Sequence, residues 1–353
     1  MRPLLIAALR EGTGKTAITV GLGLLGIDRE LAVGYMKPKG TRLESRVGKV
    51  QDRDPELARE LLGIDDELPD LEPIVYSPTF VQTAVRGGED PDALRSRIEA
   101  AHEALADERD MMLIEGAGNL DLGGIVELTD PEIAALLGAD VVLVAEFDRL
   151  EDLDVVLRGA TAFGNRLVGI LFNRVRDRAV DVLEADAIPF LERRNHPVLG
   201  VIPHDRELAG VTAGELGEQL GARRLTSGGS DAYVERFLVA ATGPDAAFRQ
   251  FRRTRNAAVV TGGDRAEIHA AAIEASGVTC LVVTGSLQPP RAVLERAERE
   301  GLAVLAVDTD TLAAVQRAES IVNMGRTQDA ATVRTMAEYL EEAVDVDALL
   351  HRR

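Results

Sequence analysis

A short glycine-rich segment near the start of the chain has the composition of a phosphate-binding turn. It comprises Gly12, Thr13, Gly14, Lys15 and Thr16, and it follows the apolar run 4–9 and precedes a helical stretch. Backbone N–H groups of such a turn bind phosphate oxygens at the helix N-terminus, and the lysine neutralises the outer oxygens. We predict that these N–H groups hold nucleotide phosphates, that Lys15 contacts the β- and γ-phosphates, and that the Thr16 hydroxyl binds Mg²⁺.

Lysine is scarce in this sequence, which makes its placement informative. The chain has four lysines in 353 residues, and three of them, Lys15, Lys37 and Lys39, lie in two short N-terminal segments. Retention of an ammonium in a strand–Gly-Lys-Thr–helix context favours nucleotide binding. A strict P-loop has a glycine where this chain has Leu9, so the alternative is a glycine turn that carries a lysine by chance.

Acidic residues at two places are candidates for binding the metal. Glu115 ends an apolar run and precedes Gly116-Ala-Gly118, which places it at the carboxyl edge of a parallel sheet, facing the phosphate-binding turn. Because Mg²⁺ prefers oxygen ligands, Glu115 is predicted to bind it beside Thr16. Asp54 is a third candidate ligand, with Asp52 as its competitor. The alternatives are a charged strand end at Glu115 and a solvated acidic loop at residues 52–54.

Strand-like runs alternate with helical stretches through the first half of the chain. The runs have the unalternating apolar character of strands that are buried on both faces, as in a parallel sheet covered by helices. The predicted strands are 3–9, 31–36, 110–115, 141–146, 167–172 and 198–202. We predict a doubly wound α/β domain of the P-loop NTPase type over residues 1–204.

The pattern restarts after residue 204 and predicts a second, smaller α/β domain over 205–320, followed by a C-terminal helix and tail over 321–353. Its predicted strands are 234–241, 257–261, 280–284 and 303–307. Glycine turns follow these strands and precede helices, so each presents N–H groups to an anion. The candidate second ligand site comprises Gly262, Gly263, Asp264, Arg265, Thr284 and Gly285. The alternative is a set of tight turns in which Asp264 is a helix N-cap.

The first 204 residues resemble dethiobiotin synthetase and its relatives among the amidotransferase-type P-loop proteins. The matching segments are 12–16, Met36-Lys37-Pro38, Asp54, Glu115-Gly-Ala-Gly118, Asn173 and Leu199-Gly-Val-Ile-Pro203. The resemblance implies ATP and Mg²⁺ as cofactors. It also implies that Lys37 contacts the substrate or the transferring phosphate, that Asp54 and Glu115 bind Mg²⁺ with Thr16, and that Asn173 reads the base.

The second domain resembles the DRTGG domain, through Val260-Thr-Gly-Gly-Asp-Arg265, Thr284-Gly285 and Asp308-Thr-Asp-Thr311. DRTGG domains are associated with adenine-nucleotide regulation. A DRTGG domain that lies C-terminal to a dethiobiotin-synthetase-like domain forms with it the N-terminal, regulatory half of long phosphotransacetylases. We therefore expect a stand-alone protein of the phosphotransacetylase family without the acyl-transfer domain. The resemblance further implies a homodimer.

Composition excludes several other classes of function. The net charge of −19 argues against nucleic-acid and anionic membrane partners and is typical of halophilic adaptation, with few lysines and an acidic surface. Scattered histidines and the lone Cys280 leave no zinc site and no disulfide. No apolar run approaches the length of a membrane span, and no basic leader precedes the first strand, so we expect a cytoplasmic protein.

Three functions remain compatible with these patterns. The first is a regulatory protein that binds ATP and Mg²⁺ in one domain and a second ligand in the other, and that contacts a partner such as a separately encoded phosphotransacetylase. The second is an ATP-dependent ligase or phosphotransferase acting on a small carboxylate, with Lys15 and Lys37 stabilising the transferring phosphoryl group. The third is a structural module whose nucleotide site has decayed.

Overall fold

The computed structural model describes residues 3–40, 43–46, 49–205, 208, 210–240, 242–285, 287–324 and 330–350. The chain divides into two compact units. The first comprises Met1–His204 together with Thr327–Arg353, and the second comprises Asp205–Arg326. The C-terminal segment thus belongs to the same unit as the N-terminal half.

A six-stranded, fully parallel sheet forms the centre of the first unit. Its strands, in chain order, are β1 (Leu4–Ala8), β2 (Val33–Met36), β7 (Met111–Glu115), β8 (Asp140–Ala145), β9 (Leu167–Val175) and β10 (Val198–Pro203). The spatial order is β10-β9-β8-β1-β7-β2. All six strands predicted from the sequence are present, and the predicted doubly wound parallel fold is confirmed. The order reverses between β1 and β8, the type of position where such sheets bind ligands at their carboxyl edge.

Helices cover the first unit's sheet. They are α1 (Lys15–Asp28), α2 (Asp54–Leu62), α3 (Leu68–Leu71), α4 (Pro78–Val85), α5 (Pro91–Ala106), α6 (Asp130–Leu136), α7 (Leu153–Phe163), α8 (Asp177–Val182) and α9 (Ile188–Glu192). Two small sheets lie outside the main one. Strands β3 (Lys39–Gly40) and β6 (Ile74–Val75) pair in parallel, and β4 (Leu43–Arg46) and β5 (Lys49–Asp52) form an antiparallel hairpin.

Helix α1 is buried almost all round, because its residues are apolar or small on every face. One face packs on the sheet, and another is covered by a helix from the far end of the chain, Ala330–Ala343. The two helices approach closely at Gly21, where a Cβ atom would lie 3.2 Å from a Leu340 methyl carbon. At the end of α1, Arg29 pairs with Glu341 at 2.9 Å and with Asp347 at 2.5 Å.

The second unit contains a five-stranded sheet with the spatial order β12-β17-β16-β15-β14. The strands are β12 (Arg223–Arg224), β14 (Arg236–Val239), β15 (Ala257–Gly262), β16 (Val278–Thr284) and β17 (Ala303–Val307), and only β12 is antiparallel to its neighbour. A separate antiparallel pair joins β11 (Val211–Thr212) to β13 (Tyr233–Val234). Apolar clusters lie on both faces of the five-stranded sheet, as expected for a parallel core.

The helices of the second unit are α10 (Ala213–Leu220), α11 (Pro244–Phe251), α12 (Ala266–Glu274), α13 (Arg291–Arg299) and α14 (Thr311–Met324). The chain then returns to the first unit with α15 (Ala330–Ala343) and α16 (Val346–Leu350). Within the described residues, no helix combines the length and apolar character that crossing a membrane requires.

One predicted strand of the second unit is wrong. Residues 234–241 were expected to form a single strand, and the structure instead separates β13 from β14 at Glu235. The reason is that the two pieces pair differently: β13 with β11, and β14 with β15. Residue 241 lies outside the described residues.

The packing of α15 on α1 predicts a large effect of a core truncation far from the N-terminus in sequence. Leu340→Ala should lower the free energy of unfolding by about 2–5 kcal/mol, because it removes a fully buried side chain beside Gly21. The matched control on the same helix is the exposed Glu338→Ala, which should change it by about 0.5 kcal/mol or less. Denaturant unfolding of both variants measures this; equal effects would contradict the packing.

Candidate functional site

The segment from Gly12 to Thr16 forms a tight turn that leads directly into α1. Gly12 and Gly14 have left-handed φ angles of 76° and 86°, which favour glycine. Gly14 is the N-cap of α1 and supplies no side-chain cap. Among the described residues, the backbone N–H groups of Gly12, Thr13 and Gly14 donate no hydrogen bond. The turn therefore presents open N–H donors at the positive end of a helix, as anion binding requires.

Lys15 and Thr13 carry polar atoms that the protein itself does not engage. The Lys15 side chain is buried, yet its ammonium makes no hydrogen bond or ion pair with any described residue. Burial lowers the pKa of Lys15, and the charges of Glu115 and Asp130 oppose this. The Thr13 hydroxyl is also buried and without a partner in the described part of the chain. Both groups suit a phosphate ligand, which supplies acceptor oxygens.

Asn173 lies at the carboxyl end of β9 and holds the turn in place. Its amide nitrogen donates to the Thr13 carbonyl at 2.7 Å, and its amide oxygen accepts from the Arg174 N–H at 2.9 Å. A Cβ atom on Gly14 would lie 2.6 Å from the same amide nitrogen, so only glycine fits there. Asn173 is 2% exposed. The structure thus gives this residue a positioning role in the turn.

Glu115 ends β7 and lies next to the start of α1. One carboxylate oxygen accepts from the Thr16 hydroxyl at 2.8 Å, and the other accepts from the Tyr35 hydroxyl at 2.8 Å. Burial raises the pKa of Glu115, and the Lys37 charge opposes the shift. Because both oxygens accept from hydroxyl donors beside an ammonium, the geometry fits the charged carboxylate. Burial and the nearby Glu115 raise the pKa of Tyr35 well above its usual value, so it stays a donor.

Lys37 follows β2 and lies among three carboxylates. Its ammonium is 2.7 Å from Asp52 and 3.6 Å from Glu115, and it also contacts Asp54. Burial alone would lower the pKa of Lys37, but the charges of Asp54, Glu115 and Asp52 together raise it. All four side chains are nearly inaccessible to solvent. The ammonium is therefore a fixed positive charge that holds the acidic side chains together.

The donor chemistry of this cluster fits Mg²⁺. A threonine hydroxyl and carboxylate oxygens from Asp54 and Glu115 are the hard oxygen ligands that Mg²⁺ prefers, and they lie beside the phosphate-binding turn. In the described residues, no group of three or more His, Cys, Asp or Glu side chains is arranged to hold a metal ion unaided. A bound phosphate would have to complete the ligand set, as is usual for Mg²⁺.

Lys39 and Asp130 fix the loop that follows Glu115. The Lys39 ammonium donates to the Leu122 carbonyl at 2.8 Å and to the Leu128 carbonyl, and it lies 3.4 Å from Asp130. Asp130 accepts in turn from the Ala117 N–H at 3.0 Å. Burial lowers the pKa of Lys39, with Asp130 opposing. This third buried lysine thus holds the loop and does not face the glycine turn.

Glu72 is a buried carboxyl behind the Lys37 cluster. One oxygen accepts from the Asp52 N–H at 3.4 Å, and the other has no partner in the described part of the chain. Burial, followed by the negative charge of Asp52, raises the pKa of Glu72 to about 8. At neutral pH this group therefore adds no full negative charge to the cluster.

The candidate second site differs from the first because several of its backbone N–H groups already donate hydrogen bonds within the protein. Three of its backbone N–H groups donate within the protein: Gly263 to Thr284 at 3.2 Å, Arg265 to Gly262 at 3.3 Å and Gly285 to Thr309 at 3.1 Å. The Arg265 guanidinium donates to the Ala240 and Thr242 carbonyls. The N-cap of α12 is Arg265, without a side-chain cap. The alternative of tight turns therefore remains, but its assignment of Asp264 as the N-cap is wrong.

The structure brings together Gly12–Thr16, Lys37, Asp54, Glu115 and Asn173, all named from the sequence. Sequence reasoning missed Tyr35, Glu72 and Asp130. Tyr35 had a signal, because residues two apart on an extended segment share a face and Lys37 follows it by two. Asp130 was hidden in a helix-start pattern, the capping box between Thr129 and Glu132. Glu72 carries no local signal.

Comparison with known proteins assigns two parts of this chain to known families. The AAA_26 family, described as an AAA domain, matches residues 2–212. The chain belongs to this family. The DRTGG domain matches residues 215–321. The AAA_26 domain therefore carries the phosphate-binding turn and the Lys37 cluster, and a DRTGG domain follows it along the chain.

Two curated relatives and one solved structure illustrate the similarity. The ATP-dependent dethiobiotin synthetase BioD of Frankia casuarinae is 31% identical over 211 residues, which cover 58% of this chain and 84% of that protein. A phosphate acetyltransferase of Synechocystis is 23% identical over 99% of this chain, which spans 51% of that protein. The CBS and DRTGG regulatory region of a Clostridium perfringens pyrophosphatase, complexed with its activator diadenosine tetraphosphate, is 19% identical over 40% of this chain and 70% of that structure, with a TM-score of 0.29.

Asn173→Ala should loosen the phosphate-binding turn in the ligand-free protein. The Thr13 carbonyl loses its donor, so amide hydrogen exchange at Ile18, whose N–H donates to the Gly14 carbonyl of the turn, should accelerate about tenfold, the equivalent of about 1.4 kcal/mol. Exchange within β15 and β16 of the DRTGG domain serves as the internal control and should not change. Unchanged exchange at Ile18 would show that the Asn173 amide is not what holds the turn.

Glu72→Gln should change the pH dependence of stability. Since the folded pKa is about 8 and the usual value is 4.5, the folded protein holds a proton that the unfolded chain releases between these values. The contribution of Glu72 to the free energy of unfolding of the wild type is therefore fully present below about pH 4.5 and is lost as the pH rises towards 8. The stability of the variant relative to wild type should increase over that window in urea titrations, whereas the exposed Glu67→Gln should show no such trend.

Proposed function

We propose that the AAA_26 domain binds ATP with Mg²⁺ and that the protein acts as a nucleotide-responsive regulator. The observation that carries the proposal is the turn at Gly12–Thr16, whose N–H groups and Lys15 ammonium have no partner among the described residues. Open donors at a helix N-terminus beside a threonine and two carboxylates are the combination that nucleotide phosphates and Mg²⁺ require.

Each residue has a distinct part in this proposal. The N–H groups of residues 12–16 orient the phosphates, and Lys15 neutralises the β- and γ-oxygens. Thr16, Glu115 and Asp54 supply oxygen ligands for Mg²⁺, whose chemistry when bound is to neutralise charge on the phosphates. The resemblance implies that Asn173 contacts the nucleotide base. Its amide nitrogen also holds the turn by donating a hydrogen bond to the Thr13 carbonyl.

The two domains and their relatives support the proposal of a regulatory role. The chain aligns along nearly its whole length with a phosphate acetyltransferase of which it spans about half. We propose that the DRTGG domain binds a second ligand near Gly262–Arg265 and Thr284–Gly285, and that the two sites are coupled. A separately encoded phosphotransacetylase is the proposed partner, and a homodimer is the proposed assembly.

A second candidate function is an ATP-dependent ligase or phosphotransferase acting on a small carboxylate. It is favoured by the 31% identity with a dethiobiotin synthetase over 84% of that protein. Lys15 and Lys37 would then stabilise negative charge on the transferring phosphoryl group. This candidate requires turnover, whereas the regulator requires only binding.

Calorimetric titration with ATP and MgCl₂ in molar KCl, followed by an ADP-release assay on the same sample, separates the two candidates. Tight binding without ADP release supports the regulator. Steady ADP release supports the ligase or phosphotransferase and directs the work to its acceptor. The absence of ATP binding in this titration contradicts both candidate functions.

Lys15→Ala should reduce ATP affinity at least about 100-fold, the equivalent of about 2.7 kcal/mol, while the fold stays intact. The ammonium engages no described residue, so its removal costs the free protein little. Calorimetry measures the affinity, and thermal unfolding reports the fold. The matched control is the exposed Arg10→Ala beside the turn, which should bind ATP like the wild type. Unchanged affinity of Lys15→Ala would contradict the phosphate-binding assignment.

A further inference from the structure

The position of Lys37 conflicts with simple metal binding by its neighbours. Its ammonium is within 3.6 Å of carboxylate oxygens from Asp52, Asp54 and Glu115. The Glu115 oxygen that it faces also accepts from the Thr16 hydroxyl. These oxygens include the ligands proposed for Mg²⁺. One ammonium and one divalent cation cannot both occupy the space between them.

An ammonium among these carboxylates lowers the electrostatic cost of burying them together when no ligand is bound. Carboxylates that are buried together repel one another, and an uncompensated buried charge is strongly destabilising. Lys37 is the one described cation within contact distance of all three, since the Lys15 ammonium makes no ion pair with them. The cluster therefore has an internal cation before any metal arrives.

We propose that Lys37 is an internal counterion that excludes the divalent cation from the nucleotide-free protein. Nucleotide phosphates on the turn draw the ammonium towards their own negative charge and release Asp54 and Glu115 to the metal. This inference rests on the proposed function, because it concerns the same site. It makes nucleotide and cation binding strongly coupled, and each ligand tightens the other by the same factor.

Lys39 provides a matched control in the same segment. It is buried like Lys37, but its ammonium faces two backbone carbonyls and a single carboxylate, that of Asp130. Removing its charge uncovers too few anionic oxygens to hold a divalent cation. Comparison of the Lys37 and Lys39 variants therefore distinguishes the general effect of losing a buried ammonium from the specific effect of losing the one that lies among the proposed metal ligands.

The test measures Mn²⁺ binding by electron paramagnetic resonance on the nucleotide-free, full-length protein. Wild type and Lys39→Met should bind Mn²⁺ weakly. Lys37→Met should bind one Mn²⁺ at least about tenfold more tightly than the wild type, because the ammonium that occupies the space between the Asp52, Asp54 and Glu115 carboxylates is gone. MgCl₂ should also raise the thermal unfolding midpoint of Lys37→Met and leave that of the wild type nearly unchanged.

Equal Mn²⁺ affinity of Lys37→Met and the wild type overturns the inference. If Lys37→Met does not fold without metal, the double variant Lys37→Met/Asp52→Asn removes one repelling carboxylate and keeps Asp54 and Glu115. It should bind Mn²⁺ more tightly than the wild type, and a failure to do so also overturns the inference. ATP binding by the wild type in MgCl₂ is measured separately. Its absence contradicts the proposed function, whereas intact ATP binding with no gain in the variants overturns the counterion alone.

Discussion

The buried contact between the Lys37 ammonium and three carboxylates is the interaction on which the first unit's ligand edge depends. Such a cluster is stable only when its geometry and hydrogen bonds offset the loss of hydration. Here Asp52 and Asp54 lie at the end of a hairpin and the start of α2, while Glu115 ends a central strand. One side chain therefore ties three separate elements to the carboxyl edge of the sheet.

The hydroxyl groups of Thr16 and Tyr35 connect this cluster to the phosphate-binding turn. Through Glu115 they link the first turn of α1 to β2 and β7, so a shift of the turn changes the surroundings of the acidic side chains. Asn173 adds a link to β9 through the Thr13 carbonyl. The turn and the acidic cluster are in this way parts of one hydrogen-bonded network.

The sequence predicted the fold and most of the site because both follow from local patterns. Continuous apolar runs indicated buried parallel strands, and the carboxyl ends of those strands then placed Lys15 and Glu115 on one edge. The resemblance to dethiobiotin synthetase added Lys37 and Asn173. It did not predict what depends on pairing between distant segments. Glu72 contacts Asp52 across twenty positions, the strand expected over 234–241 divides because its halves have different partners, and α15 packs on α1 from over 300 positions away. The apolar sequence of α1 does not show which segment of the chain covers it.

The cover of α1 has a consequence for synthesis on the ribosome. Helix α1 emerges early, whereas α15 is made only after the whole DRTGG domain. The nascent AAA_26 domain therefore exposes the apolar face of its phosphate-binding helix while about 300 further residues are added. Exposed apolar surface of this kind promotes aggregation, so the growing chain needs protection or delay until its last segment closes the helix. The helix that follows the glycine turn is thus covered last, although it is encoded first.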